Sequence, residues 1–388
     1  MNEEIKNVTG FKDCLIYLEG EGIKKASLSI INGKITSVKQ APADALHFEE
    51  DLMIVPGFVN RHVHGANESD SMYPNAKDLK NIALTMASEG TTSFLATTMT
   101  QTIENIDLAL ENINDYIKAR HPEGAEVLGV HLEGPFISKK HKGAQPETCI
   151  IPGDVEQFKK FQKISGNHIR QVTLAYEENG KKLVEYLVSK GIVASIGHSD
   201  ATAADFREAA NYGVTSLTHS YNAMRPIHHR EVGALGAAML DDRIYAEIIA
   251  DLIHVSKEAI QILYRMKGKE KITLITDSLE ASHMSDGVYQ LGGQKVYVQG
   301  KEARLESRAL AGSTLWMNNA VKNIIEVLEI TLEEAVDMAT INPARCLKID
   351  DRKGSIAVGK DADFAIVDKD LKVHYTIRGG KIVYQKVK

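Results

Sequence analysis

The stretch of residues 191–224 constrains the fold of this chain more than any other. An apolar run over residues 191–196 ends just before His198, residues 201–210 form an alanine-rich segment typical of a helix, and a second apolar run ends at His219. A strand–helix–strand unit of this length makes its two strands parallel neighbours. We therefore expect both imidazoles at the same carboxyl edge of one sheet, where they could bind a metal ion. A single histidine at a strand end is more often capped or solvated, so other strands must repeat the pattern.

Similar apolar runs, separated by helical segments, continue on both sides of this unit. Eight of them over about 230 residues match a (β/α)8 TIM-type barrel, which is an α/β fold. The competing doubly wound sheet normally has a glycine-rich phosphate loop after its first strand, and this chain has RHVH at residues 61–64 instead. Residues 286–306 are predicted as an inserted hairpin. The barrel strands are predicted at residues 52–60, 91–98, 127–132, 171–175, 191–196, 214–218, 245–250 and 272–276.

Both ends of the chain have the pattern of short strands without helices between them. Asn32-Gly33 lies between two apolar runs, which is a strong signal for a two-residue hairpin turn. A Gly-Gly pair separates two similar runs near the C-terminus. We predict a small β-sandwich domain assembled from residues 1–57 and 356–388, next to a barrel formed by residues 58–355.

Composition and charge exclude several classes of protein. The formal net charge is -6 and no sustained Lys/Arg run is present, which argues against a nucleic-acid partner. Cys14, Cys149 and Cys346 lie far apart, so we expect reduced thiols and neither a disulfide nor a cysteine-based zinc site. The first residues have no signal-peptide pattern and no apolar stretch approaches ~18 residues. We predict a cytoplasmic protein without a membrane partner.

The predicted strand ends have four histidines and two acids. In a barrel, the carboxyl ends of the strands converge on one mouth and form the active site. This set of nitrogen and oxygen donors suits Zn, Fe, Mn or Co with open positions for water. Such an ion lowers the pKa of a bound water towards ~7 and polarises a carbonyl group, and a nearby carboxylate would transfer the proton. The six residues are His62, His64, Glu133, His198, His219 and Asp277.

Several segments resemble motifs of the amidohydrolase superfamily, and within it those of the deacetylases of amino-sugar phosphates. HLEGPF together with THSYNAM is specific to these deacetylases. A relative such as dihydroorotase more often has a carboxylated lysine on the fourth strand, whereas here Glu133 on the third strand would supply the metal carboxylate. The split terminal β domain matches the family too. The motifs are PGFVNRHVHG (56–65), HLEGPFISKKHKGAQ (131–145), GHSDA (197–201), THSYNAM (218–224), HHREVG (228–233), ADLIH (250–254), TDS (276–278) and LAGSTLWM (310–317).

The resemblance implies a divalent metal site with one or two ions per subunit. Glu133, His198 and His219 would hold one ion. His62 and His64 would hold a second ion, bridged through Glu133. Some members of the family replace this histidine pair and use a single metal, so the resemblance leaves both stoichiometries open.

The resemblance also implies a reaction and its substrate contacts. Asp277 would act as general acid and base, and His254 would donate a hydrogen bond to the acetyl carbonyl or oxyanion. Arg230 would bind the substrate phosphate, since guanidinium is its natural bidentate partner. The implied homodimeric enzyme hydrolyses N-acetyl-D-glucosamine 6-phosphate to D-glucosamine 6-phosphate and acetate, in amino-sugar catabolism and cell-wall recycling. The other implied pocket residues are Ala144, Asn222, Ala223, Leu310, Ala311 and Gly312.

The sequence leaves two other classes of function open. Another amidohydrolase, such as an N-acyl amino acid deacylase or a nucleobase deaminase, would have no use for Arg230 and Asn222 as a phosphate clamp. A metal-dependent binding or scaffold protein would have no use for Asp277. The sequence leaves the metal and the gluco or galacto preference open as well.

Overall fold

The computed structural model describes residues 6–49 and 51–387, and a barrel of parallel strands lies at its centre. Residues 1–5, 50 and 388, which belong to the predicted terminal domain, lie outside the described residues. The strands are β1 (Gly10–Leu18), β2 (Gly22–Ile31), β3 (Lys34–Ser37), β4 (Leu52–Pro56), β5 (Phe58–Val63), β6 (Gly65–Ala66), β7 (Ser69–Asp70), β8 (Thr91–Thr98), β9 (Glu126–Glu133), β10 (Ile169–Leu174), β11 (Val193–Ile196), β12 (Ser216–Leu217), β13 (Tyr245–Ile249), β14 (Ile272–Ile275), β15 (Gly287–Leu291), β16 (Gln294–Gln299), β17 (Glu302–Leu305), β18 (Phe364–Asp368), β19 (Val373–Arg378) and β20 (Lys381–Gln385).

Eight parallel strands form the barrel in the order in which the chain supplies them, from β5 and β8 through β14. Hydrogen bonds close it between the ends of β14 and β5: the Asp277 N–H donates to the His62 carbonyl (2.9 Å) and the His64 N–H donates to the Ser278 carbonyl (2.9 Å). The predicted (β/α)8 fold is therefore confirmed. Closure also brings residues that are more than 200 positions apart into contact at one mouth.

Helices cover the outside of the barrel, and polar residues determine where several of them begin. Thr202 and Asp205 form a reciprocal capping box, and the Asp154 carboxylate accepts from two backbone N–H groups of the next turn. Such caps satisfy donors that a helix start leaves free. Within residues 6–49 and 51–387, no helix is both long and apolar enough to cross a membrane. The helices are α1 (Ala76–Ser88), α2 (Ile103–Ala119), α3 (Val155–Ile164), α4 (Lys181–Ser189), α5 (Ala203–Asn211), α6 (Gly233–Met239), α7 (Lys257–Lys267), α8 (Met317–Leu328), α9 (Leu332–Ala339) and α10 (Ile341–Cys346).

The two ends of the chain build one seven-stranded sheet in the order β20-β19-β18-β4-β1-β2-β3. Antiparallel pairing of β4 with β18 joins the N-terminal and C-terminal strands. The sheet surrounds its own apolar core, in which the rings of Phe11 and Phe364 meet edge to face at 5.2 Å. The predicted small β domain built from both termini is confirmed. The division at residues 57/58 and 355/356 stays a prediction.

The prediction of a single hairpin over residues 286–306 is wrong in one respect. Three antiparallel strands, β15 to β17, form a meander here. A second turn is possible at Gly300, whose φ of 62° is a left-handed conformation that glycine adopts without steric cost. The meander packs against Met99 and Leu279 beside the mouth of the barrel.

We expect Phe364→Ala to destabilise the terminal domain by about 3–5 kcal/mol, because it leaves a cavity in a closely packed core. Thermal and urea unfolding of the full chain would measure the change. Val358→Ala is the matched control, since Val358 is 61% exposed and should have little effect. Equal midpoints for the two variants would contradict the assignment of a separate terminal core.

Candidate active site

Glu133, at the end of β9, lies at the centre of a buried cluster of histidines. Its Oε1 atom lies 3.3 Å from His62 Nε2, 3.4 Å from His198 Nε2 and 3.2 Å from His219 Nε2. Its Oε2 atom lies 3.2 Å from His64 Nε2. Four different barrel strands contribute these five residues, which the sequence predicts as metal ligands. The structure brings all of them together.

Asp277 completes the cluster from the end of β14. Its Oδ1 atom lies 3.3 Å from the Nε2 atoms of both His62 and His64. The six side chains form two groups of three, and the possible ligand atoms within each group lie within 4.8 Å of one another. The groups are His62, His64 and Asp277, and Glu133, His198 and His219.

Three of these residues adopt a backbone conformation that is rare outside glycine. The φ angles are 48° at His198, 27° at His219 and 50° at Asp277. Positive φ at non-glycine residues costs free energy and is concentrated at functional sites. The residue before His198 must be glycine for the chain to turn here. A Cβ atom at Gly197 would lie 2.6 Å from the Thr218 side chain, which is too close. Each chain segment therefore turns sharply on leaving the barrel and directs its side chain towards the mouth.

The donor atoms lie near the spacing that metal ligands require. The Nε2 atoms of His198 and His219 lie 3.0 Å apart, and two nitrogens on one tetrahedral ion at about 2.1 Å would lie about 3.4 Å apart. Within the described residues, His62 Nε2 and Glu133 Oε1 are buried without a hydrogen-bond partner. Buried polar atoms are normally satisfied. A divalent cation among these atoms would satisfy them, so the donor set fits a metal site.

The electrostatics of the cluster favour bound positive charge. Burial raises the pKa of Glu133, but the charge of His62 and the close imidazoles of His198 and His219 outweigh it and hold that pKa well below its usual range. Burial lowers the pKa of His64, but hydrogen bonds with Asp277 and Glu133 outweigh it and raise that pKa to about 9. The carboxylates thus stay ionised at neutral pH, and either protons or a metal ion must balance them.

Glu247, a fully buried residue of β13, supports both ligand groups from below. Its Oε2 atom lies 3.1 Å from His62 Nδ1 and accepts from the His219 backbone N–H at 3.2 Å. Arg61 and Gln171 contact its other oxygen at 2.8 and 2.9 Å. A carboxylate behind a ligating histidine fixes the ring and its tautomer. Sequence reasoning missed Glu247, although an acid in the apolar run Tyr245–Ile249 signals a buried partner.

Two further contacts that the sequence did not reveal orient the ligands. Gln145 donates from Nε2 to Glu133 Oε2 at 2.8 Å, and its Oε1 accepts from the Thr100 N–H at 2.7 Å. The carbonyl of His141 lies 2.9 Å from His198 Nδ1. Gln145 is the last residue of the motif over residues 131–145, which also contains Glu133. Its place in the same motif was a signal that it contacts that ligand. No sequence pattern could have predicted that the backbone carbonyl of His141 contacts His198.

A cavity of about 240 Å³ opens above the cluster. His254 lines it, and Asp251 holds that ring: Asp251 Oδ2 lies 2.7 Å from His254 Nδ1, and Asp251 Oδ1 accepts from the His254 N–H at 2.9 Å. The ring therefore has Nε2 left for a ligand in the cavity. Met99, Gly143, Gln145 and Leu291 add to the wall. The predicted pocket residues in the wall are Ala144, Asn222, Ala223, Leu310 and Gly312.

Two predicted pocket residues do not line this cavity. Ala311 is fully buried and packs in the apolar cluster with Met99 and Leu291. Arg230 is exposed in a turn beyond the cavity, where its Nη1 lies 2.7 Å from His229 Nε2.

The fold and the site together define a metal-dependent hydrolase of the barrel type, because a set of divalent-cation ligands and a carboxylate converge on a cavity at the carboxyl ends of the strands. The sequence profile of the amidohydrolase family matches residues 53–383. This chain belongs to the amidohydrolase family.

Individual relatives are similar to the chain over nearly its whole length. The N-acetylglucosamine-6-phosphate deacetylase of Bacillus subtilis (strain 168) is 42% identical over 381 residues, which cover 96% of each chain. The N-acetylgalactosamine-6-phosphate deacetylase of Escherichia coli O157:H7 is 36% identical and covers 89% of this chain and 91% of its own. A mutant N-acetyl-D-glucosamine-6-phosphate deacetylase from Mycobacterium smegmatis, solved in complex with N-acetyl-D-glucosamine 6-phosphate, superposes with a TM-score of 0.92 at 29% identity, covering 98% of this chain and 100% of its own.

We expect Glu247→Gln to lower stability by about 3–5 kcal/mol, because it leaves the buried Arg61 without a negative partner. It should also weaken metal binding by about 10–100-fold, since the His62 ring loses its support. Thermal unfolding and elemental analysis of the purified protein measure the two effects. Glu302→Gln, which removes an exposed partner of Arg304, is the control. Wild-type metal content in Glu247→Gln would contradict the supporting role.

Proposed function

We propose that this protein hydrolyses N-acetyl-D-glucosamine 6-phosphate to D-glucosamine 6-phosphate and acetate. The observation that carries the proposal is the convergence of the two ligand groups, one of which contains Asp277, at one cavity. The substrate class is supported by the relatives, whose names specify N-acetylated hexosamine 6-phosphates. We further propose that the reaction serves amino-sugar catabolism and cell-wall recycling, and that the enzyme is a cytoplasmic homodimer.

We propose that the metal is Zn, Fe, Mn or Co, with one or two ions per subunit. Imidazole and carboxylate ligands accept all four metals. Glu133, His198 and His219 would hold the first ion, and His62 with His64 would hold the second. A divalent ion, when bound, supplies an activated water and polarises the acetyl carbonyl.

Asp277 is proposed to transfer protons. Burial raises its pKa, but the charge of His62 and the hydrogen bond and charge of His64 outweigh burial and lower that pKa below its usual range. The carboxylate is therefore ionised at neutral pH and ready to accept a proton as a general base. It would then return the proton to the leaving nitrogen of the amino sugar.

His254 is proposed to bind the acetyl oxygen. Asp251 accepts three hydrogen bonds from the segment that carries this ring, two of them from the backbone N–H groups of Ile253 and His254. The imidazole is therefore held against rotation, with its Nε2 edge at the cavity. Because Nδ1–H donates to Asp251, Nε2 would donate from the imidazolium form of the ring, and that fixed N–H would stabilise the negative charge that develops on the carbonyl oxygen.

The sugar and its phosphate are proposed to lie along the wall of this cavity. Ala144, Leu310 and Gly312 would border the sugar ring, and Ala311 would support them from the apolar cluster behind the wall. Asn222 and the backbone of Ala223 would meet the phosphate. Arg230 would reach it from the neighbouring turn, where its guanidinium is exposed.

Asp277→Asn should lower kcat by about 10²–10⁴-fold, because the amide cannot accept a proton. Acetate release and metal content are measured on the same preparation, so loss of the ion can be separated from loss of proton transfer. Asp370→Asn, an exposed change in the terminal domain, should leave both unchanged. An unchanged kcat in the metal-loaded Asp277→Asn enzyme would contradict the proposed role.

Hydrolysis should depend on the substrate phosphate. Unphosphorylated N-acetylglucosamine should give a much lower kcat/KM than its 6-phosphate, and Arg230→Ala should raise KM only for the phosphorylated substrate. Acetate release from both substrates measures this, with Arg265→Ala as the exposed-arginine control. Indifference to the phosphate would favour another amidohydrolase activity. Parallel assays with N-acetylgalactosamine 6-phosphate decide the sugar preference.

A further inference from the structure

A second cavity, of about 530 Å³, lies between the barrel and the terminal sheet. We call it the junction cavity. The hairpin turn at Asn32 and Lys34 and the end of β19 at Arg378 form its terminal-domain side. The end of α2 and the following loop, with Tyr116, Arg120 and His121, form its barrel side. Its volume is in the range of small-molecule sites.

The junction cavity is remote from the candidate active site. Glu126, the first residue of β9, lines the junction cavity, whereas Glu133, the last residue of the same strand, lies in the ligand cluster. At a rise of ~3.3 Å per residue, the ends of this strand lie about 23 Å apart. A molecule in the junction cavity would therefore contact neither the metal ligands nor the substrate.

The three carboxylates of the cavity wall form ion pairs with lysine and arginine side chains. Lys353 forms ion pairs with all of them, at 2.7 Å from Glu126 and 3.1 Å from Asp361, and with Asp363. Arg352 contacts Glu126 at 2.7 Å and Asp361 at 2.8 Å, and Lys34 contacts Asp361 at 2.6 Å. Three acids thus face three bases, and this part of the wall is close to neutral.

Two arginine side chains and one buried hydroxyl of the cavity wall have hydrogen-bond donors without a protein partner in the described residues. Among the described residues, the Arg120 side chain has no ion-pair or hydrogen-bond partner. Arg378 uses one donor, Nη2, on the His121 carbonyl at 2.8 Å. Tyr116 is 4% exposed, its ring stacks on His121 at 4.2 Å, and its hydroxyl has no partner in the described part of the chain. A buried hydroxyl without a partner is costly, which suggests that a ligand satisfies it.

We propose that the junction cavity is a second binding site, for a small organic phosphate monoester. Its phosphate lies against Arg120, Arg378 and the Tyr116 hydroxyl, and its organic part packs on Ile117 and the Tyr116 ring. Two unmatched guanidinium charges suit a phosphate monoester, which has about two negative charges at neutral pH, and guanidinium binds phosphate oxygens bidentately. The ligand bridges the two domains. This site does not depend on the proposed function.

Calorimetric titration of the metal-loaded full chain with glucose 6-phosphate and with AMP tests the proposal. Neither probe has the acetamide that hydrolysis requires. We expect at least one of the two probes to bind. Tyr116→Phe and Arg120→Gln should each raise its Kd by about tenfold or more, because each removes a hydrogen bond to a charged group. Gluconate, a carboxylate with a similar carbon chain, should bind more weakly than glucose 6-phosphate.

The variants separate ligand binding from a structural role. The Tyr116 hydroxyl has no partner in the described residues, so Tyr116→Phe should retain the wild-type melting temperature. Arg265→Gln changes an exposed arginine on α7 and should bind both probes normally. Binding at the active site alone would persist in both cavity variants and would overturn the proposal. Absence of binding, or equal weakening by Arg265→Gln, would overturn it as well.

Discussion

Two carboxylates and four imidazoles share one small buried volume, and the rest of the structure depends on this arrangement. Glu133 is 2% exposed and lies within 3.4 Å of four imidazole nitrogens. None of these groups could be buried alone without a large cost in desolvation. Each is stable here because the others compensate its charge, and a bound divalent cation would compensate the charge of the carboxylates further. The strained φ angles at His198, His219 and Asp277 persist because the barrel around them determines the backbone path.

The interior of the barrel beneath the site is polar where many barrels are filled with apolar layers. The Thr218 hydroxyl lies 2.8 Å from that of Thr173 and 2.6 Å from that of Ser195. His131 meets Thr173 at 2.7 Å, and burial together with the charge of His62 holds the His131 pKa well below its usual range. A neutral His131 adds no charge beside the ligands. The polar interior therefore supports the metal cluster without competing for its charge.

The two ends of the barrel have different roles. At the carboxyl ends of the strands, turns present side chains to a cavity, while at the amino ends the barrel packs against the terminal sheet. Lys353 and Arg352 connect the two domains through Glu126 at the start of β9 and Asp361 near β18. Strand β9 thus links the domain junction at one end with the ligand cluster at the other.

The sequence by itself determined the order of strands and helices and the six residues at the strand ends, because alternating apolar runs and the parallel direction of barrel strands place those ends at one mouth. It also determined the pairing of the two termini, through their strand patterns. Only the tertiary structure decided which side chains support the ligands. Glu247, Gln145 and the His141 carbonyl act across distances that barrel closure and loop packing set, and local patterns contain no information about those distances. The exposed position of Arg230 and the third strand of the meander were decided in the same way.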